Sequence, residues 1–135
     1  MNKRFVDTNI FLRYLTADDK TKYTKCKQLF ERAVSGKETL VTTDIVIAEL
    51  IWTLLSYYKV SKIEVIEKIS IILNTPNLQV KNQKILMEAV LLYSNKAIDF
   101  IDAYNAVSMK HDKLEKLYSY DKDFEGIEFV KRLEP

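Results

Sequence analysis

The stretch Phe5-Val6-Asp7-Thr8-Asn9-Ile10 decides how this 135-residue chain is read. It is a short apolar strand that stops on a carboxylate and turns into a helix. Ile10, Phe11, Tyr14 and Leu15 then recur at helical spacing, with Asp7 or Thr8 as the cap. In an α/β sheet, ligands gather at the carboxyl ends of the strands. An aspartate in that place directs attention to every later acid that returns to the same edge.

Working outward, helices and strands alternate. Lys20 to Ser35 is a helix that stops at Gly36, and Thr39 to Thr42 is a strand. The helix from Ile45 to about Tyr57 carries Ile45-Val46-Ile47-Ala48-Glu49-Leu50-Ile51-Trp52, apolar nearly all round, which predicts a largely buried helix with Glu49 as its one acid. Ser61-x-x-Glu64 is a capping box opening the next helix, and Thr75-Pro76-Asn77 stops it. Leu78-Gln79-Val80 reads as a strand, and Asn82 caps a helix with Ile85, Leu86, Ala89, Val90, Leu92 and Tyr93 inward. Asp99-Phe100-Ile101-Asp102-Ala103 begins another helix. Lys116 to Ser119 is a strand ending at Tyr120-Asp121, and Ile127 to Val130 reads as a last, edge strand. This alternation predicts an α/β fold with a small, mostly parallel sheet covered by helices.

Composition agrees. The chain has the size of one domain, and 47% hydrophobic with 30% charged residues is the balance of a folded protein. Only 2 Gly and 2 Pro disfavour a turn-rich all-β fold. A formal charge of +2 is too weak for bulk attraction to nucleic acid, though a local basic rim would serve. Cys26 is the only cysteine and His111 the only histidine, so neither an intrachain disulfide nor a Cys/His zinc site can form. There is no signal-peptide pattern and no apolar run of about 20 residues to span a bilayer, so the expected location is the cytoplasm and no membrane partner is expected. No glycine-rich phosphate loop supports a nucleotide cofactor.

Four acids sit where a simple soluble domain needs no charge. Asp7 and Asp121 each end a strand, Asp102 lies in the first turn of an apolar helix, and Glu49 lies in the apolar helix above. In a parallel sheet such positions share one edge. Crowded carboxylates raise one another's pKa, and a hard divalent cation such as Mg²⁺ or Mn²⁺ resolves the conflict. A site of this kind suits phosphodiester hydrolysis. Each acid alone also has a structural reading: Asp7 and Asp99 as helix caps, Asp102 as a dipole partner, Asp121 and Asp123 as turn residues. For Glu49 that reading is weakest, because an unpaired carboxylate in so apolar a helix is costly. Thr8, Asn9 and Ser119 either support ligand carboxylates or serve as turn and cap residues. Trp52, Tyr57 and Tyr58 read as core or dimer contacts.

Val6-Asp7-Thr8-Asn9, Ala48-Glu49-Leu50, Asp99-Phe100-Ile101-Asp102-Ala103 and Ser119-Tyr120-Asp121-Lys122-Asp123-Phe124, in this order and spacing, resemble the PIN-domain nucleases, and among them the VapC-type toxins of type II toxin–antitoxin pairs. The resemblance covers the whole chain as a single domain, 1–135. It implies a PIN-like, three-layer α/β/α fold and a Mg²⁺ or Mn²⁺ pocket. It further implies endoribonuclease activity on an RNA substrate, a homodimer, and a cognate antitoxin that blocks the site. Asp7, Glu49, Asp102 and Asp121 match the family's acidic quartet, catalytic and metal-holding, with Asp99 and Asp123 as supporting acids and Asn9 and Ser119 as small polar neighbours. From other classes, a catalytically silent PIN module that binds RNA or a protein would share the fold. A phosphatase working through a phosphoaspartate is disfavoured, because Asp7-Thr8-Asn9 lacks the second aspartate such enzymes carry.

Overall fold

Short parallel strands set the frame. The computed structural model describes residues 2–135. Its elements fall into two compact units, Met1–Gln83 and Lys84–Pro135.

The first unit runs β1 (Lys3–Phe5), α1 (Thr8–Thr16), α2 (Lys20–Val34), β2 (Thr39–Thr42), α3 (Asp44–Ser56), α4 (Lys62–Leu73) and β3 (Leu78–Val80). The three strands lie side by side in the order β1-β2-β3, all parallel, with Phe5 opposite Val41 and Thr42 opposite Val80. Helices therefore make each crossover, as parallel pairing demands. Local chemistry sets the helix starts: the Asp19 carboxylate accepts the Lys22 N–H at 3.0 Å, and the Ser61 hydroxyl accepts the Glu64 N–H at 3.3 Å. The rings of Phe11 and Phe30 stack with centroids 5.6 Å apart, and Leu40, Ile47, Leu50 and Leu54 are fully buried. Cys26 is a buried core residue, as its helical position suggests.

The second unit begins within α5 (Gln83–Asn95) and continues through α6 (Phe100–His111), β4 (Lys116–Tyr118), a 3₁₀ turn (Lys122–Gly126) and β5 (Lys131–Leu133). β4 and β5 pair in parallel, Lys116 opposite Lys131 and Tyr118 opposite Leu133. Tyr93 meets Phe100 edge to face at 5.9 Å, and Leu86, Ala89, Ala103 and Ala106 are fully buried.

The α/β class and the parallel pairing follow the sequence expectation. Hydrogen bonding divides the strands into a three-stranded sheet and a separate pair. Two expectations are corrected. The last strand is Lys131–Leu133, and Ile127 to Val130 is not a strand: Ile127 and Val130 are buried anchors of the turn before it. α3 is not buried all round, since Ile45 is 77% and Trp52 68% exposed. Asn82, just ahead of α5, takes a left-handed φ of 58°, and its amide donates to Asp44 at 2.9 Å.

Candidate active site

Backbone pairing places the first acid. The Val6 N–H donates to the Val41 carbonyl at 2.8 Å, and the buried Thr42 hydroxyl donates to the Val6 carbonyl, also at 2.8 Å. The residue ahead of Asp7 is thus held at both of its polar atoms. Asp7 is the N-cap of α1, its exposed carboxylate accepting the Thr8 N–H at 2.7 Å. Thr8 is only 5% exposed, and its hydroxyl is the buried side-chain oxygen left without a hydrogen-bond partner among the described residues. Asn9 is exposed in the first turn of α1.

Glu49 overturns part of the sequence expectation. It is exposed, on the face of α3 that also carries Ile45 and Trp52. The spacing i, i+4, i+7 puts the three on one side of the helix. No buried-charge cost attaches to Glu49, and its case rests on its motif and its outward position.

In the second unit the charges of three aspartates act on a fourth, Asp102. Asp99 occupies the N-cap position of α6, yet its side chain makes no capping hydrogen bond. Asp102 follows in the first turn and is half-buried. Asp121 leaves the end of β4 on a tightly held turn. The Ser119 hydroxyl accepts the Asp121 N–H at 3.0 Å, and the Asp121 carboxylate accepts the Asp123 N–H at 2.9 Å. The Arg132 guanidinium donates to the Ser119 carbonyl at 2.9 Å and is itself clasped by Glu125 at 2.9 Å and Glu134 at 2.7 Å. Ser119 is thus a turn residue that aims Asp121.

The electrostatic result falls on Asp102. Burial first, then the charges of Asp121, Asp99 and Asp123, push its carboxyl above the ordinary carboxylate value. The structure so brings Asp99, Asp102, Asp121 and Asp123 into one field, while Asp7 and Glu49 belong to the first unit. Among the described residues no three His, Cys, Asp or Glu side chains are gathered closely enough to hold a metal ion. The donor chemistry nevertheless fits a hard cation. All the candidates are carboxylates, Asp102 carries like-charge repulsion that a cation relieves, and the Thr8 hydroxyl beside Asp7 has an unmet hydrogen bond.

The PIN domain family model matches residues 4–130. The chain belongs to the PIN domain family. This PIN domain is 27% identical over 126 residues to a VapC ribonuclease of Aquifex aeolicus strain VF5, covering 93% of each chain. Among solved structures it is similar to Mycobacterium tuberculosis VapC20, described as a sarcin-ricin loop cleaving toxin, at 19% identity and a TM-score of 0.44, covering 94% of this chain and 96% of that one. It is also similar to Rickettsia felis VapBC2 bound to a DNA fragment from its promoter, at 17% identity and a TM-score of 0.39, with 98% of both chains covered.

Two residues that serve this PIN domain's acids escaped the sequence reading. Thr42 looked like one more strand threonine, and no periodic signal marks it as the support of Val6. Arg132 lies outside every motif, in a strand with no apolar pattern. The bond from Arg132 to Ser119 depends on the register of β5 against β4, which the sequence does not spell.

Proposed function

We propose that this PIN domain is a Mg²⁺- or Mn²⁺-dependent endoribonuclease, the toxin of a toxin–antitoxin pair, and that Asp7, Glu49, Asp102 and Asp121 are its catalytic acids. The observation that carries the reading is the group Asp99, Asp102, Asp121 and Asp123, in which the charges acting on Asp102 are those of other carboxylates. Such a group is poorly explained as scaffold and well explained as a receiver of cations. Family membership and the likeness to a VapC ribonuclease make RNA the substrate to test.

In this reading Asp7, Glu49, Asp102 and Asp121 hold the metal, with Asp99 and Asp123 adding negative field. The bound cation would supply positive charge to a phosphoryl group and make water a better nucleophile. The rest falls to the chain itself. Thr42 and Val6 fix Asp7 at the end of β1, and Ser119 and Arg132 fix the turn that presents Asp121. Asp99 leaves its carboxylate out of the cap of α6, so that its charge reaches Asp102.

The partners proposed are a cognate antitoxin and a second copy of the chain. Exposed apolar side chains support them: Ile45 and Trp52 on α3, and Ile63 and Ile71 on α4, the last two at 71% and 58% exposure. No helix among the described residues is long and apolar enough to cross a membrane, and the cytoplasm is the proposed location.

The test is incubation of structured RNA with the protein, with and without Mn²⁺. Cleavage that needs the metal and disappears in Asp102→Asn is the expected result. Cleavage independent of metal, or none of any RNA with metal present, would overturn the reading.

A further inference from the structure

The outer face of the β4–β5 pair presents a pattern that the acids do not explain. From Lys116 to Tyr120 exposure alternates residue by residue: Lys116, Tyr118 and Tyr120 face solvent, while Leu117 and Ser119 are half-buried. Within β4, which ends at Tyr118, this is the two-residue period of a strand with one face to water, and Tyr120 follows in the bend just past the strand end. Tyr118 is 69% and Tyr120 72% exposed, so neither ring is a core residue. Opposite Lys116, on the same face, stands the exposed Lys131 of β5.

Two exposed aromatic rings two residues apart offer a flat apolar surface for a ligand to stack on. The backbone that carries them is rigid. Between the rings, the Ser119 N–H donates to the Leu133 carbonyl at 3.0 Å, its carbonyl accepts from Arg132 at 2.9 Å, and its hydroxyl accepts the Asp121 N–H at 3.0 Å. The backbone beneath the rings is therefore fixed before any ligand binds. Asp121 follows Tyr120 directly in the chain.

We propose that this face is a track for single-stranded RNA, on which consecutive unpaired bases stack on Tyr120 and Tyr118 while Lys116 and Lys131 attract the backbone phosphates. The inference rests on the endoribonuclease reading and adds how the substrate is gripped. Aromatic rings interleaved with cations bind single strands without strong sequence preference, because every base has a π-face. Paired bases cannot offer those faces, so the track selects unpaired RNA. A cleft of about 480 Å³ in the second unit opens at the other end of the strands from Asp121. Lys110, Lys113, Phe129 and Lys131 are among its lining residues, together with Glu115 and Glu128. There the Lys110 ammonium lies 5.4 Å from the Phe129 ring centre. Sharing Lys131 with the face, the cleft continues the track away from the acids.

The experiment measures fluorescence anisotropy of a labelled single-stranded RNA of about 12 nucleotides. It is titrated with the full chain carrying Asp7→Asn, which prevents cleavage, and with the same chain carrying Tyr118→Ala and Tyr120→Ala as well. The double alanine variant should bind the single strand at least about tenfold more weakly at an unchanged melting temperature. A double Tyr→Phe variant should bind as the parent does, and the parent's preference for the single strand over a duplex of the same sequence should shrink in the alanine variant. Unchanged affinity of the alanine variant, in a protein whose wild type cleaves RNA, overturns the track and leaves the nuclease reading standing. A wild type that neither binds nor cleaves RNA overturns both. If the alanine substitutions instead turn a dimer into a monomer while RNA affinity is kept, the face is a contact between copies and the track is wrong.

Discussion

The hydroxyl of Thr42 reaches back 2.8 Å to the carbonyl of Val6, one residue ahead of Asp7. Thr42 ends β2, so a neighbouring strand fixes the point at which β1 gives out its carboxylate. Thr42→Val keeps the shape and removes the donor, leaving a buried carbonyl short of a partner. Stability should fall by about 1–2 kcal/mol in urea unfolding. RNA cleavage should lose kcat more than it gains KM, because Asp7 is displaced while the RNA surface stays. Unchanged kcat would mean that Thr42 braces the sheet and nothing more.

Substitution can separate the cap that Asp7 makes from the metal role proposed for it. Its carboxylate caps α1, and asparagine caps nearly as well. Asp7→Asn should leave the melting temperature almost unmoved and abolish cleavage. Asp7→Ala should abolish cleavage too and, in addition, cost about 0.5–2 kcal/mol of stability, at the lower end because the cap is exposed. Thermal unfolding of the two variants side by side makes the comparison.

Asp102 makes the metal-free fold depend on pH with a definite sign. Burial and the charges of Asp121, Asp99 and Asp123 raise its folded pKa above the ordinary 3.8, so ionisation opposes folding. That contribution to stability is intact below the ordinary value and is lost as pH rises through the raised one. Asp102→Asn should therefore raise the melting temperature near neutral pH in the presence of a chelator, by roughly a degree or two after solvent screening, and not below the ordinary carboxylate range. Added Mn²⁺ should stabilise the wild type and do little for the variant.

Arg132 acts through Ser119. Arg132→Gln breaks the clasp with Glu125 and Glu134 and frees the Ser119 carbonyl, so Asp121 is presented on a looser turn. Cleavage should fall in kcat by about tenfold or more, as small misplacements of reacting groups do. A loss confined to KM would show that Arg132 contacts RNA and does not position the acid.

Much of this was legible because local signals and tertiary need agree. Thr39–Thr42 and Leu78–Val80 are short apolar runs bounded by turn residues, and both are strands as read. The strand Lys131–Leu133 was not legible, because it is made by pairing: the Lys131 N–H donates to Glu115 and the Ser119 N–H to Leu133. Glu49 shows a different limit. The apolar richness of α3 was plain, but its direction was not, and Ile45, Glu49 and Trp52 turn out together. Asp99 shows the reverse, a residue in the cap position of α6 whose side chain does not cap. Trp52 and Tyr57, read as core or dimer contacts, are exposed, whereas Tyr58 donates to Asp18 at 2.9 Å.

The central claim is that the acids named here receive a divalent metal, and calorimetric titration of Mn²⁺ into the chain tests it most directly. Saturable binding to the wild type that is lost in both Asp7→Asn and Asp102→Asn is the predicted result. No binding to the folded wild type, or binding that both variants retain, would contradict it and leave a silent PIN module whose acids have no ligand.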